Sequence, residues 1–242
     1  MAANKPSPTL VWTQSQPERR RAPAPLSREK IVRSALALAD REGLDAVSLR
    51  NVAARLGVGP MRLYGYTATK EGLFALMVDA VYAELVAGGG FRGDWRAVLG
   101  SLATRLREAT RRHAWFVSLL GGRLHLGPNA LAFLELVLSG LRRTITDLDL
   151  ALEAARVLNA WVIGALHTEA NDLAAERETG LDEKAWHEVT WPWLEGQLRG
   201  GALPNVEAVV VHATHPSAET IFARGLETVL DGVEAMLERR KR

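Results

Sequence analysis

Arg62, Tyr64, Tyr66 and Lys70 lie close together in the chain, and Arg50 and Ser48 stand a short way upstream. An arginine can form a paired hydrogen bond to the edge of guanine, while tyrosine, serine and lysine can reach phosphate oxygens. Such groups read a duplex only when a short helix carries them into the major groove, so the flanking residues must supply that helix. Ser48 can cap a helix, since its hydroxyl can accept a free first-turn N–H. Leu49, Val52, Ala53 and Leu56 then recur at helical spacing as one buried stripe. Gly57 suits a left-handed stop, and Val58 can pack inside the turn. Pro60 fits the first turn of a second short helix carrying Met61, Arg62, Leu63, Tyr64 and Tyr66. Two short helices joined by a tight glycine turn are the layout of a helix-turn-helix. In that layout Arg62 is the first candidate for base contact and Arg50 the second. Pro60 and Met61 can touch thymine methyls, whereas Ser48, Tyr64, Tyr66 and Lys70 are assigned to phosphates, and Leu63 to the core.

The run Gly57-Val58, Leu63-Tyr64 and Lys70 resembles the tetracycline-repressor (TetR) family of bacterial regulators. The likeness extends upstream through Leu26–Val32 and Glu42-Gly43-Leu44-Asp45, and downstream through Glu71-Gly72-Leu73. Gly65 stands where the family more often places a larger side chain, and Tyr66 where histidine or phenylalanine is commonest. The resemblance implies an all-α protein: a three-helix helix-turn-helix head and a larger helical domain for ligand binding and dimerisation. It implies a homodimer on a palindromic double-stranded DNA operator, joined through the helices near 149–177 and 216–240. It further implies a small-molecule effector held in a cavity of each subunit, with repression as the usual outcome.

Around the head, residues 1–26 contain Pro6, Pro8, Pro17, Pro23 and Pro25 and read as a flexible basic arm. Its Arg19, Arg20 and Arg21 fit a minor-groove contact and an idle solvated tail equally well. The head is expected over 27–72 and the body over 73–242. Helix 1 runs from Ser27 to Glu42, with Ile31, Val32, Ala35, Leu38 and Ala39 facing inward. Helix 4 runs from Thr69 to Val86 and joins head to body, and Gly88-Gly89-Gly90 breaks it. Further helices are expected at 94–112, 114–120, 128–144, 149–177, 182–199, 203–212 and 216–240. Val209-Val210-Val211 is too short to build a sheet.

Trp115, Trp161, Trp186, Trp191 and Trp193 fall in the body, with Phe116 and Phe133. Each alone reads as core; together they also suit an apolar cavity between helices. Trp161, Ala165, Thr168 and Asp172 fall on one face of the long helix. With Trp115, Phe116, His125, Phe133 and Trp191 they form the expected ligand-binding set, for a hydrophobic or aromatic effector able to hydrogen bond. His212 and His215 have a metal-like spacing, but Pro216 interrupts it and no third ligand follows. The tetracycline-binding members use a magnesium–drug chelate. No matching ligands stand out here, so no cofactor is assigned, with a metal-chelated effector as the lesser alternative. The catalytic motifs G-x-S-x-G, H-E-x-x-H and the P-loop do not occur, and the glycines at Gly88-Gly89-Gly90 lack the strand–turn–helix setting of a phosphate loop, so no enzyme is proposed. With no cysteine and no apolar run of about 18 residues, the expected location is the cytoplasm, without membrane contact. The net charge of +2 does not by itself point to nucleic acid. An effector-independent or architectural DNA-binding protein stays open, as does, more remotely, an enzyme on a helical scaffold.

Overall fold

The computed structural model describes residues 26–122 and 125–240, so Arg19, Arg20 and Arg21 lie outside the described residues. Ten α-helices and two short 3₁₀ turns make up the described chain, and no strand occurs in it. The head comprises α1 (Arg28–Glu42), α2 (Leu49–Arg55) and α3 (Met61–Tyr64), with α4 (Lys70–Ala87) leading out of it. The body adds α5 (Trp95–Arg112), α6 (Pro128–Leu141), α7 (Leu148–Thr179), α8 (Glu183–Leu198), α9 (Pro204–His212) and α10 (Ala218–Arg239).

Short polar side chains start these helices where a free N–H needs a partner. Ser27 accepts from the Lys30 amide at 3.3 Å, Ser48 from Asn51 at 3.1 Å and Thr69 from Gly72 at 3.0 Å. Asp94 and Asp182 do the same for α5 and α8. Each such cap stabilises its helix by about 1 kcal/mol. Glu29 and Glu71 add negative charge to the positive ends of α1 and α4.

One continuous set of buried apolar side chains runs from head to body. Ile31, Ala35 and Leu38 of α1 share it with Leu73 and Met77 of α4, then with Val98, Leu99 and Leu102 of α5. The head is therefore not a loosely tethered module. In the body α4 lies on α6, α5 on α7, and α10 on both α7 and α5. By contrast, α8 and α9 touch chiefly each other, leaving Trp186, Trp191 and Trp193 at 51%, 43% and 69% exposure.

Three expectations need correction. The segment 114–120 is not a helix: His113 leaves the helical region at φ −127° and ψ 75°, and only Val117–Leu119 forms a 3₁₀ turn. Trp115 and Phe116, adjacent in this non-helical stretch, are both buried. The helix starting at Pro128 stops at Leu141 rather than 144, where the Thr144 amide bonds to the Leu141 carbonyl three residues back, a tighter turn than the α-helical step. Helical spacing puts Ile221, Phe222, Gly225, Leu226, Val229, Val233, Met236 and Leu237 on one stripe of the last helix. On α10 the buried positions are Phe222, Leu230, Val233 and Leu237, and Ile221 faces solvent.

Candidate nucleic-acid interface and ligand cavity

The helix-turn-helix is closed by backbone geometry. Gly57 sits at φ +67°, where a side chain would be strained, and this lets the Val58 amide return to the Ala53 carbonyl at 3.0 Å. Leu63 is fully buried beside Val47 and Val52, and it fixes the rotation of α3. The consequence is that Met61 (79% exposed), Arg62 and Tyr64 face outward together. Pro60 opens this helix and is exposed. Asn51 Nδ2 donates to the Ala46 carbonyl at 2.7 Å, which pins the start of α2 and leaves Arg50 on the surface. Lys70 is exposed at the first turn of α4, with its ammonium 5.1 Å above the Phe74 ring. From Ser48 to Lys70 the chain carries Arg50, Arg55, Arg62 and Lys70 and no acidic residue. The face is therefore cationic although the whole chain is nearly neutral.

Tyr66 departs from expectation. It lies beyond α3, and its hydroxyl donates to the Leu26 carbonyl at 2.6 Å. A phosphate oxygen can only accept, so a hydroxyl already donating elsewhere cannot hold it. Tyr66 ties the entry of α1 to the end of the reading unit instead. Ser48 keeps its hydroxyl hydrogen, because in its cap it only accepts.

In the body, a cavity of about 690 Å³ lies between α4, α5, α6, α7 and the loop after the 3₁₀ turn. Its walls are mostly apolar, with Leu102, Leu106, Val137 and Ile163 among them. Tyr82 and Phe133 stand 5.7 Å apart in it, and the His125 ring lies 6.2 Å from Tyr82. Burial, helped by the nearby Asp79 charge, pushes the Tyr82 phenol up to about 12. It is thus a hydrogen-bond donor at any physiological pH. A second hollow, about 720 Å³, is a shallow groove between α5 and α10. Its edge is a solvated ion-pair seam in which Arg96 bridges Glu227 and Asp231 at 2.6 Å each, so the deeper and more apolar cavity is the better ligand site.

Of the residues expected to bind ligand, His125 and Phe133 line this cavity. Phe116 stands one layer behind, edge-on to Tyr82 at 5.7 Å. The rest do not converge on it. Trp115 donates its indole N–H to Asp40 of α1 at 2.7 Å. Trp161 packs on Phe222 at 5.2 Å, and Gly225 leaves room for its ring. Thr168 bonds back to the Gly164 carbonyl, Ala165 is half-buried, Asp172 is exposed, and Trp191 sits on α8. The reason is helical phase. The face of α7 that meets the cavity carries Leu152, Ala155, Arg156, Asn159 and Ile163, whereas Trp161 belongs to the face toward α10. Tyr82, Arg156 and Asn159 were not anticipated. Tyr82 could have been suspected as a polar-tipped aromatic on an otherwise apolar helix. Among the described residues no group of three metal-ligating side chains gathers, and His212 and His215 do not form one.

Residues 31–77 match the family described as bacterial regulatory proteins, tetR family. Residues 90–237 match the tetracyclin repressor-like C-terminal domain. This chain belongs to the tetracycline-repressor family. It is similar to the transcriptional repressor DrrR1 of Streptomyces coeruleorubidus, with 35% identity over 96% of this chain and 86% of that one. The class C tetracycline repressor of Escherichia coli is 26% identical over 87% of this chain and 92% of its own. Among solved structures, ActR of Streptomyces coelicolor in complex with actinorhodin superposes with a TM-score of 0.72. That match has 25% identity and covers 88% of this chain and 99% of ActR. The chain is therefore a DNA-binding transcriptional regulator of the TetR type, not an enzyme, and none of its described helices is long and apolar enough to cross a membrane.

In this TetR-family regulator two polar junctions join cavity to head. At the first, Asp79 of α4 is buried and accepts from the Asn129 and Ala130 amides at 3.0 Å, and from Asn129 Nδ2 at 2.7 Å. It caps α6 from another helix, and a side chain on Gly127 would collide with it. At the second, the buried His113 ring meets Asp40 of α1 at 2.8 Å through Nδ1 and Glu84 of α4 at 3.2 Å through Nε2. Trp115 shares Asp40, and Trp115 lies edge-on to Phe116 at 6.2 Å. A chain of contacts thus leads from Tyr82 through Phe116 and Trp115 to α1.

Proposed function

We propose that this regulator is a repressor that grips a palindromic operator as a homodimer and lets go when an aromatic effector enters the cavity. The observation that carries the reading is the linkage of two sites by one helix: α4 begins beside the cationic reading face and contributes Tyr82 to the cavity. An effector preferring one placement of α4 shifts the spacing of the two heads by its differential affinity for the two states. Arg62 and Arg50 read bases, and Pro60 and Met61 touch thymine methyls. Tyr64, Ser48 and Lys70 hold phosphates. The dimer forms through α7 and α10, and the protein works in the cytoplasm, where bacterial DNA lies. The cavity, at about 690 Å³, falls within the usual range for a drug-sized ligand.

The test is selection of bound fragments from a random DNA pool, followed by titration of the selected duplex complex with actinorhodin, the ligand seen in ActR. Enrichment of an inverted repeat, and release by the ligand, is expected. Enrichment without any palindrome would refute operator reading by a paired head. Ala160 of α7 also lines the cavity, and release that persists when the cavity is filled by Ala160→Trp would refute it as the effector site.

A further inference from the structure

The cavity is apolar on its floor but not at its rim on α7. Arg156 and Asn159 stand one turn apart there, both exposed. Arg156 forms no ion pair or hydrogen bond with any described residue, and no described acidic residue lines the cavity. Other arginines of the same bundle are differently placed. Arg107 and Arg111 are both held by Glu169 and Glu219, and Arg105 by the carbonyls of Gly88 and Gly89. The nearby buried acid, Asp79, is engaged with the start of α6. The cavity therefore has one uncompensated positive charge at its rim, an amide beside it, and two aromatic rings within.

We propose that the effector is an anionic aromatic molecule whose acidic group is held by Arg156 and Asn159 while its rings lie against Tyr82 and Phe133. An apolar ring system alone would be served by the floor. A neutral or cationic ligand would leave the Arg156 charge unanswered at the mouth, or be repelled by it. Arginine presents a planar set of donors that matches a carboxylate, sulfonate or phenolate, and Asn159 can add one N–H to the same oxygens. The protonated Tyr82 phenol is a third donor for an acceptor deeper in the molecule, such as a carbonyl. A lone arginine at a surface is often only a solvated charge. What distinguishes this one is its place on the rim of a mostly apolar cavity with no acid among the described lining residues to match it.

This inference rests on the cavity being the effector site, and the experiment separates the two. Binding of anilinonaphthalene sulfonate and of its uncharged parent, phenylnaphthylamine, is measured by fluorescence on the full-length dimer. The proteins are wild type, Arg156→Gln, Arg156→Lys and Ala160→Trp, each checked for an unchanged melting temperature. Arg156→Gln should lower the ratio of sulfonate to parent affinity about 1.5- to fivefold, the range for an exposed charge pair. Arg156→Lys should keep most of that ratio, and Ala160→Trp should weaken both probes. A ratio unchanged in Arg156→Gln, with both probes still blocked by Ala160→Trp, overturns the anion assignment alone. Equal loss of both probes in Arg156→Gln also overturns it, since the residue would then only shape the wall. Binding indifferent to Ala160→Trp overturns the cavity as the site, and this inference with it.

Discussion

Asp79→Asn is the sharpest test of how the cavity is tied to the head. The native carboxylate is 5% exposed and accepts three N–H groups at the start of α6. Asparagine keeps the shape but replaces one acceptor oxygen with an N–H₂ that must face another donor. At least one charge-assisted bond is lost, each contributing about 1.5–3 kcal/mol, and a buried donor is left without a partner. The expected loss is about 2–4 kcal/mol, which for a chain of this size lowers the melting temperature by roughly 4–16 °C. Asn129→Ala removes only the side-chain bond to the carboxylate and should cost about 1.5–3 kcal/mol. In the Asp79→Asn background that second change should cost little more, because its partner is already gone. Urea denaturation of the dimer at one fixed protein concentration provides the assay. A loss below about 0.5 kcal/mol for Asp79→Asn, the level of an ordinary surface change, would refute the reasoning. So would full additivity of the two substitutions.

Arg62→Ala should weaken operator binding by about 1–3 kcal/mol and relax one base position, whereas Lys70→Ala should weaken all duplexes alike and reduce the salt slope by about one; gel-shift titrations at several salt concentrations read both. Tyr82 should titrate late in an ultraviolet absorbance titration, near pH 12, and Tyr82→Phe should remove that late phase. Its raised value also means that stability falls as pH climbs from 10 toward 12, since the unfolded phenol releases its proton first. The Glu219 carboxylate is held below its ordinary range, first by its hydrogen bond to Arg111 and then by the charge of Arg107. The stability it contributes is present above the ordinary carboxylate value and is lost as pH falls through the lowered one. Melting curves from neutral to acid pH should therefore show a flatter decline for Glu219→Gln than for wild type. Gly127→Ala forces a side chain into the Asp79 carboxylate and should destabilise the protein, as thermal melting would show.

The head was readable from the chain because its determinants are local. Ser48, Gly57 and Pro60 each act within a few residues, and they orient Leu63 inward and Arg62 outward. The cavity was not readable in the same way. Tryptophan suggested its location, yet Trp161 is occupied by Phe222 and Trp115 by Asp40, partners 61 and 75 residues away in sequence. The residues that do face the cavity on α7 differ by only part of a turn from those expected, and sequence periodicity cannot choose between adjacent stripes on a helix packed on several sides. Asp79 shows the same limit. An acid in the middle of α4 reads as exposed until the start of α6, fifty residues on, is brought against it. Tyr66 was assigned by its position in the motif, but its reach to Leu26 depends on how the chain enters α1.

The limb made by α8 and α9 has a consequence for the life of the protein in the cell. Its indoles, with Val189, Val206 and Val209, give a newly made subunit an adhesive flank that its own body does not hide. The dimer proposed through α7 and α10 does not use that flank, so pairing leaves it to compete for any greasy surface nearby.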